Sequence, residues 1–233
     1  MKPETLDHVA LWVADRDRLA GFVTSNLGMH VVERTDDFTL VGSDARRGKL
    51  TLFVEEGPRE RGRLEHVALR VSDLERSLAR VPAGTEAVRP REGEAYFDLY
   101  EGLRLGLVEA RTDVDYDLDH VALSSEHPQE TANEYEKLGF RPSSPGPSGA
   151  PRVEVGGAFV EFHEGDAPET ERPLLNHLAV KVESAGEHIE EAKRLGIEID
   201  RVVDAANTYA VFLWGPDRVR IEYVEHKPEF SLT

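Results

Sequence analysis

Four histidines stand at the third position of one recurring phrase: His8 in LDHVAL, His66 in LEHVAL, His120 in LDHVAL and His177 in LNHLAV. The phrases begin 58, 54 and 57 residues apart. A polar side chain kept inside an apolar strand in every copy invites a chemical explanation, and imidazole both ligates metals and moves protons near neutral pH. Two acids fall at matching places late in the last two copies, Glu161 in FVEFHE and Glu222 in RIEYVE. There is no cysteine, which excludes disulfides, thiolate metal sites and thiol nucleophiles. Any metal must therefore be held by nitrogen and oxygen.

A fixed period longer than one helix or strand means that each copy is a supersecondary module. In residues 118–124 the side chains of His120, Ala122 and Ser124 share one face, and Val121 and Leu123 share the other. The apolar pair suits packing under a helix, which leaves the histidine on the opposite side of the sheet. A helix follows each phrase. The first is marked by Asp15 as a cap, by Leu19, Phe22 and Val23, and by Gly28 at its stop. The second is short, with Ser72-Asp73-Leu74-Glu75 reading as a capping box. The third starts near Pro128, shows Ala132, Tyr135 and Leu138, and stops at Gly139; the fourth shows Ala185, Ile189 and Ala192 before Gly196.

After each helix the period returns to two. Strands are expected near 197–203, 208–214 and 219–225 in the fourth copy, and near 140–142, 151–155 and 158–163 in the third. Each module thus reads βαβββ, and the class is α+β. Residues 143–149, rich in Ser, Pro and Gly, form a loop that could lie over a site. Polar stretches near 111–117 and 165–173 separate later modules. The first suggests a boundary between an N-terminal domain over 1–112 and a C-terminal domain over 113–233.

A net charge of −17, spread along the chain, argues against nucleic acid or an anionic membrane as a partner. The apolar runs are strand-length, and no export signal opens the chain, so a cytoplasmic location is the default expectation. No Walker loop, Rossmann glycine pattern or Gly-x-Ser-x-Gly elbow offers a competing chemistry.

A βαβββ module with His on its first strand and Glu on its last resembles the vicinal oxygen chelate superfamily. That group includes glyoxalase I, bleomycin- and fosfomycin-resistance proteins, methylmalonyl-CoA epimerase and type I extradiol dioxygenases. The stretch from Phe212 to Tyr223 is similar to its Tyr-Phe-x-Asp-Pro-x-Gly-x-x-x-Glu-x signature. Pro216 and Glu222 match, whereas Gly215 and Arg218 replace the usual Asp and Gly, and Phe212 replaces a tyrosine. The resemblance implies modules pairing into two cup-shaped sheets, with a metal-free N-terminal pair and a catalytic C-terminal pair.

By the same resemblance His120, His177 and Glu222 are the ligands of an Fe(II) ion, with Mn, Ni or Zn as alternatives. Two imidazoles and one carboxylate leave three positions open, as non-haem Fe(II) oxygenases require. Some family members pair the first module with the fourth, which would bring in His8 instead of His120. Aligned on Glu222, the second module has Gly106 and the first has Thr51 or Leu52, so His8 and His66 lack a carboxylate of their own. Glu161 is either a fourth ligand, as in glyoxalase I, or an acid bonding to substrate or to a ligand histidine. His163, 14 residues before His177, resembles the acid–base histidine of extradiol enzymes, and Tyr209 is the remaining catalytic candidate. His30, His127, His188 and His226 are expected in ordinary surface roles.

The leading expectation is an extradiol ring-cleaving dioxygenase that takes a catecholic diol and O2, with homo-oligomerisation left open. The alternatives are a glyoxalase- or epimerase-like lyase or isomerase with two His and two Glu, and a metal-free small-molecule binder.

Overall fold

The alternation in the four phrases becomes the first strand of each module. The computed structural model describes residues 1–44, 47–166 and 170–228. Module one comprises β1 (Thr5–Val13), α1 (Arg16–Asn26), β2 (His30–Arg34), β3 (Phe38–Gly42) and β4 (Lys49–Val54). Module two has one strand fewer: β5 (Leu64–Val71), α2 (Leu74–Leu78), β6 (Glu94–Asp98) and β7 (Arg104–Glu109). Module three runs β8 (Asp117–Ser125), α3 (Pro128–Lys137), β9 (Arg141–Pro142), β10 (Arg152–Val155) and β11 (Ala158–Glu164). Module four runs β12 (Leu175–Lys181), α4 (Ala185–Leu195), β13 (Ile199–Asp204), β14 (Thr208–Trp214) and β15 (Arg220–His226).

Helix starts follow local chemistry. Asp15 accepts the Arg18 N–H at 3.0 Å, Asp73 the Arg76 N–H at 2.9 Å and Ser184 the Glu187 N–H at 3.3 Å. The cap of α2 is therefore Asp73, one residue beyond the expected Ser72. The third helix begins on Pro128, whose missing N–H costs nothing there. Gly196, at φ 69°, closes α4 in the left-handed conformation.

The strands form two mixed sheets. One has eight strands in the order β13-β14-β15-β12-β1-β4-β3-β2, the other seven in the order β6-β7-β5-β8-β11-β10-β9. In every module the first and last strands are neighbours, β8 beside β11 in the third, and β1 with β4, β5 with β7 and β12 with β15 pair in parallel. Modules one and four thus share a sheet, as do two and three, whereas the expected catalytic sheet joined three and four. The first strands do the joining: β5 and β8 run antiparallel with Val67 beside Val121. Where Ala68 and Leu69 face His120 and Leu118, Asp119 is the extra residue of a β-bulge.

Two compact units are built from these elements. One contains residues 1–7, 124–166 and 177–228, the other 8–123 and 170–176. Exchange points fall inside β1, β8 and β12, and the polar stretch near 112 lies within the second unit. The first unit buries Tyr135, Phe162, Ile221 and Tyr223 beneath α3 and α4. Burial pushes the Tyr223 phenol well above its ordinary range, and its O–H donates to the Leu138 carbonyl at 2.6 Å. The second unit buries Leu11, Leu50 and Leu52 with Leu19, Phe22 and Val23 of α1. Each such side chain contributes about 1.5–3 kcal/mol by leaving water.

Candidate metal centre

Sheet register decides which side chains stand together. In module four, β12 and β15 pair with Ala179 beside Glu222, and His177 lies two residues before Ala179 on the same face. The His177 Nε2 is 3.0 Å from Glu222 Oε2, and both residues are buried. In module one the arrangement repeats: Ala10 lies beside Thr51, and His8 two residues before Ala10. Thr51, not Leu52, is therefore the counterpart of Glu222.

His8, His177 and Glu222 each offer one ligand atom, and these atoms all lie within 4.8 Å of one another. Among the described residues no other group of three or more His, Asp or Glu does so. Two imidazole nitrogens and one carboxylate oxygen gathered this closely suit a divalent transition metal. The walls beside the pair from module four are apolar. Phe212, directly opposite Glu222 in β14, sets its ring edge-on to His177 with centroids 5.1 Å apart. Ala179, Ala210, Phe212 and Val224 form one buried cluster, with Val203 packed against it. Such a lining excludes water and strengthens charge interactions at the donors.

His120 stands elsewhere. It lies on the seven-stranded sheet, and its Nε2 meets the Nε2 of His66 at 2.9 Å. The ring centroids are 5.0 Å apart, so the two rings meet nearly end to end. That is the geometry of one shared proton; imidazoles converging on an ion would bend toward each other. The bulge turns Asp119 to the His120 Nδ1 at 2.8 Å, and Arg70 holds the same carboxylate at 2.9 Å. Burial works to raise the Asp119 pKa, but the bond from His120 and the charges of His120 and Arg70 outweigh it and hold it below the usual carboxylate range. At its other end the His120 Nε2 keeps the contact with His66. The Tyr96 hydroxyl lies 3.5 Å from that Nε2 and donates to Glu94 at 3.2 Å. Its ring lies across Gly106, where a Cβ would come within 2.6 Å. The place of a carboxylate in module two is thus filled by an aromatic ring.

Glu161 and His163 also lie on the seven-stranded sheet, on β11. Arg152 holds Glu161 at 3.3 Å and His163 approaches it at 3.5 Å. Gly146 of the 143–149 loop packs so close that a Cβ there would strike the carboxylate. The loop therefore covers Glu161, and Arg152 anchors it by donating to the Ser144 carbonyl at 2.9 Å. His163 lines a separate hollow of about 480 Å³ with Pro128, Phe162 and Pro151. Tyr209 pairs with Glu225, and Glu225 accepts the Ala185 N–H of α4 at 2.9 Å. Tyr209 is thus on the helix face, opposite to Glu222. Neither expected acid–base residue shares the face of the trio.

Of the histidines expected at the surface, His188 is instead buried and His226 is half-buried. His188 donates Nδ1–H to the Ser184 carbonyl at 2.7 Å, accepts the Lys2 N–H at 3.1 Å and stacks on Tyr223. His226 pairs with buried Asp7 at 3.2 Å. Helical spacing shows the first in retrospect, since residue 188 falls one turn from Ala185 and Ala192.

Residues 5–101 match the model of the Glyoxalase/Bleomycin resistance protein/Dioxygenase superfamily. No curated protein sequence matches the chain significantly. A Bacillus subtilis protein provisionally named a dioxygenase has the same fold, with TM-score 0.80 and 18% identity over 98% of this chain and 87% of that one. Glyoxalase I from Zea mays gives TM-score 0.76 and 17% identity over 95% and 92%. The CppA protein from Streptococcus pneumoniae gives 0.65 and 12% over 96% and 98%. At these identities the likeness is one of fold. Among the described residues no helix is long and apolar enough to cross a membrane.

Proposed function

We propose that this four-module vicinal oxygen chelate protein is a metal-dependent dioxygenase of the extradiol, ring-cleaving kind, acting on a catecholic diol. His8, His177 and Glu222 would hold Fe(II). The observation that carries this reading is the donor set: two imidazoles, one carboxylate, and Thr51 at the counterpart of Glu222. Three protein ligands leave room for a bidentate diol and for dioxygen. Bound Fe(II) supplies the path for electrons between diol and dioxygen. The chain supplies the facial arrangement, the apolar wall of Phe212, Ala210 and Val224, and exclusion of water. In the overall reaction one ring C–C bond beside a hydroxylated carbon breaks, and both oxygen atoms enter the product.

A glyoxalase- or epimerase-like lyase is the second reading, supported by the fold shared with glyoxalase I. It asks for a second carboxylate as the fourth ligand, and Glu161 is committed to Arg152 on the other sheet. The test is anaerobic Fe(II) reconstitution followed by a catechol panel in air. Oxygen uptake with a yellow product supports the dioxygenase. Absence of uptake, with Ni- or Zn-dependent turnover of a hemithioacetal or acyl-CoA, selects the lyase.

A further inference from the structure

Beside His8 the register places Thr51, and beside His177 it places Glu222, through Ala10 and Ala179. Both positions are buried, with Thr51 5% and Glu222 8% exposed. Each also has an apolar partner on the next strand, Leu40 facing Thr51 and Phe212 facing Glu222. The two modules thus build the same niche twice and fill it once with an acid and once with a neutral hydroxyl.

We infer that Thr51 is the specificity-determining residue that keeps one coordination position for an outside oxygen ligand, its hydroxyl donating a hydrogen bond to that ligand. The inference rests on the metal reading proposed above. A threonine hydroxyl stays protonated at neutral pH and competes poorly for a divalent ion against carboxylate or imidazole. It is well suited to donate to an anionic oxygen, and such bonds are stronger than neutral ones. The class of ligand is a small molecule offering two vicinal oxygens, at least one of them ionised. A carboxylate at residue 51 would give two His and two acids, close the position and change the chemistry.

The test uses the full chain without oxygen. Calorimetric titration with Zn(II) and Fe(II) gives metal affinity, and the spin resonance of Fe(II) with nitric oxide reports whether catechol binds alongside it. T51E is expected to bind Zn(II) at least tenfold more tightly, on the order of 1.4 kcal/mol. Its nitric oxide signal should no longer respond to catechol. T51V is expected to keep metal affinity within about threefold of the parent while weakening catechol about tenfold, the scale of one bond to a charged group. T51S should restore catechol binding. If T51E fails to fold, T51V and T51S decide alone. An unchanged catechol affinity in T51V overturns the inference, as does loss of metal in T51V, which would make Thr51 a ligand. A parent chain that binds no metal at all contradicts the metal reading itself, and that failure is seen before any variant is made.

Discussion

The Asp217 carboxylate accepts the Thr131 hydroxyl at 3.1 Å, tying the turn before β15 to the first turn of α3. Asp217 reaches it from a left-handed backbone, at φ 55°. Glu101, at φ 58°, does the same work in module two, accepting the Ala14 and Asp15 N–H groups at 2.7 and 3.0 Å. Asparagine tolerates the left-handed region and keeps an acceptor, whereas alanine does neither. D217N should therefore change stability by under about 0.5 kcal/mol and D217A should cost about 1–3 kcal/mol. Urea denaturation of both variants checks the difference; equal losses would remove the backbone argument.

Metal retention should separate two classes of histidine. Replacing His8, His177 or Glu222 by Ala is expected to weaken divalent-metal binding about 100-fold or more, since each removes a donor. H120A should lose stability, because it removes the buried bonds that His120 makes to His66 and Asp119, yet keep one metal per chain. Elemental analysis after gel filtration reads both. A metal-free H120A with a metal-loaded H8A would reverse the assignment.

Acid should expose the Asp119 pair. Its folded pKa lies below the unfolded value of about 3.9. The pair's stabilisation is therefore present above that value and lost as pH falls through the lower, folded one. D119N is expected to cost about 1–3 kcal/mol at pH 7, with the gap to the parent narrowing below about pH 4. Chemical denaturation at stepped pH measures this; a constant gap would mean that the charge of Asp119 is not involved.

Two glycines are held by close approach. G146A should push the 143–149 loop off Glu161, and G106A should collide with the Tyr96 ring. Each is expected to cost about 1–3 kcal/mol as local overpacking. Hydrogen exchange should quicken in the loop for the first variant and around Tyr96 for the second. Unchanged exchange in both would contradict the close packing.

Strands and helices were largely legible, because alternation and capping are local. The strands read near 197–203, 208–214 and 219–225 fold at Ile199–Asp204, Thr208–Trp214 and Arg220–His226. The place of Glu222 on a last strand, beside His177, was legible from its signature. Which first-strand histidine comes near that pair, His8 or His120, was not, since both sit in the same six residues, LDHVAL. What separates them is which first strands lie side by side, a long-range outcome that no local pattern encodes. The identical Asp-His pairs even diverge: Asp119 turns to His120 through a bulge, while Asp7 pairs with His226. Tyr209 was misplaced for a simpler reason, a parity that only the pairing with Glu225 settles.

Joining β1 to β12 also sets a timetable for folding. The Glu4 N–H donates to the Lys181 carbonyl and the Trp12 N–H to the Leu174 carbonyl, both at 2.8 Å. During synthesis β1 finds β4 early but must wait for Leu175–Lys181 to emerge before its second neighbour exists. Its unsatisfied edge is exposed throughout, a state that invites mispairing with other nascent chains. Such distant closure makes for slow maturation, and a chain cut before the last module would keep that edge bare for good.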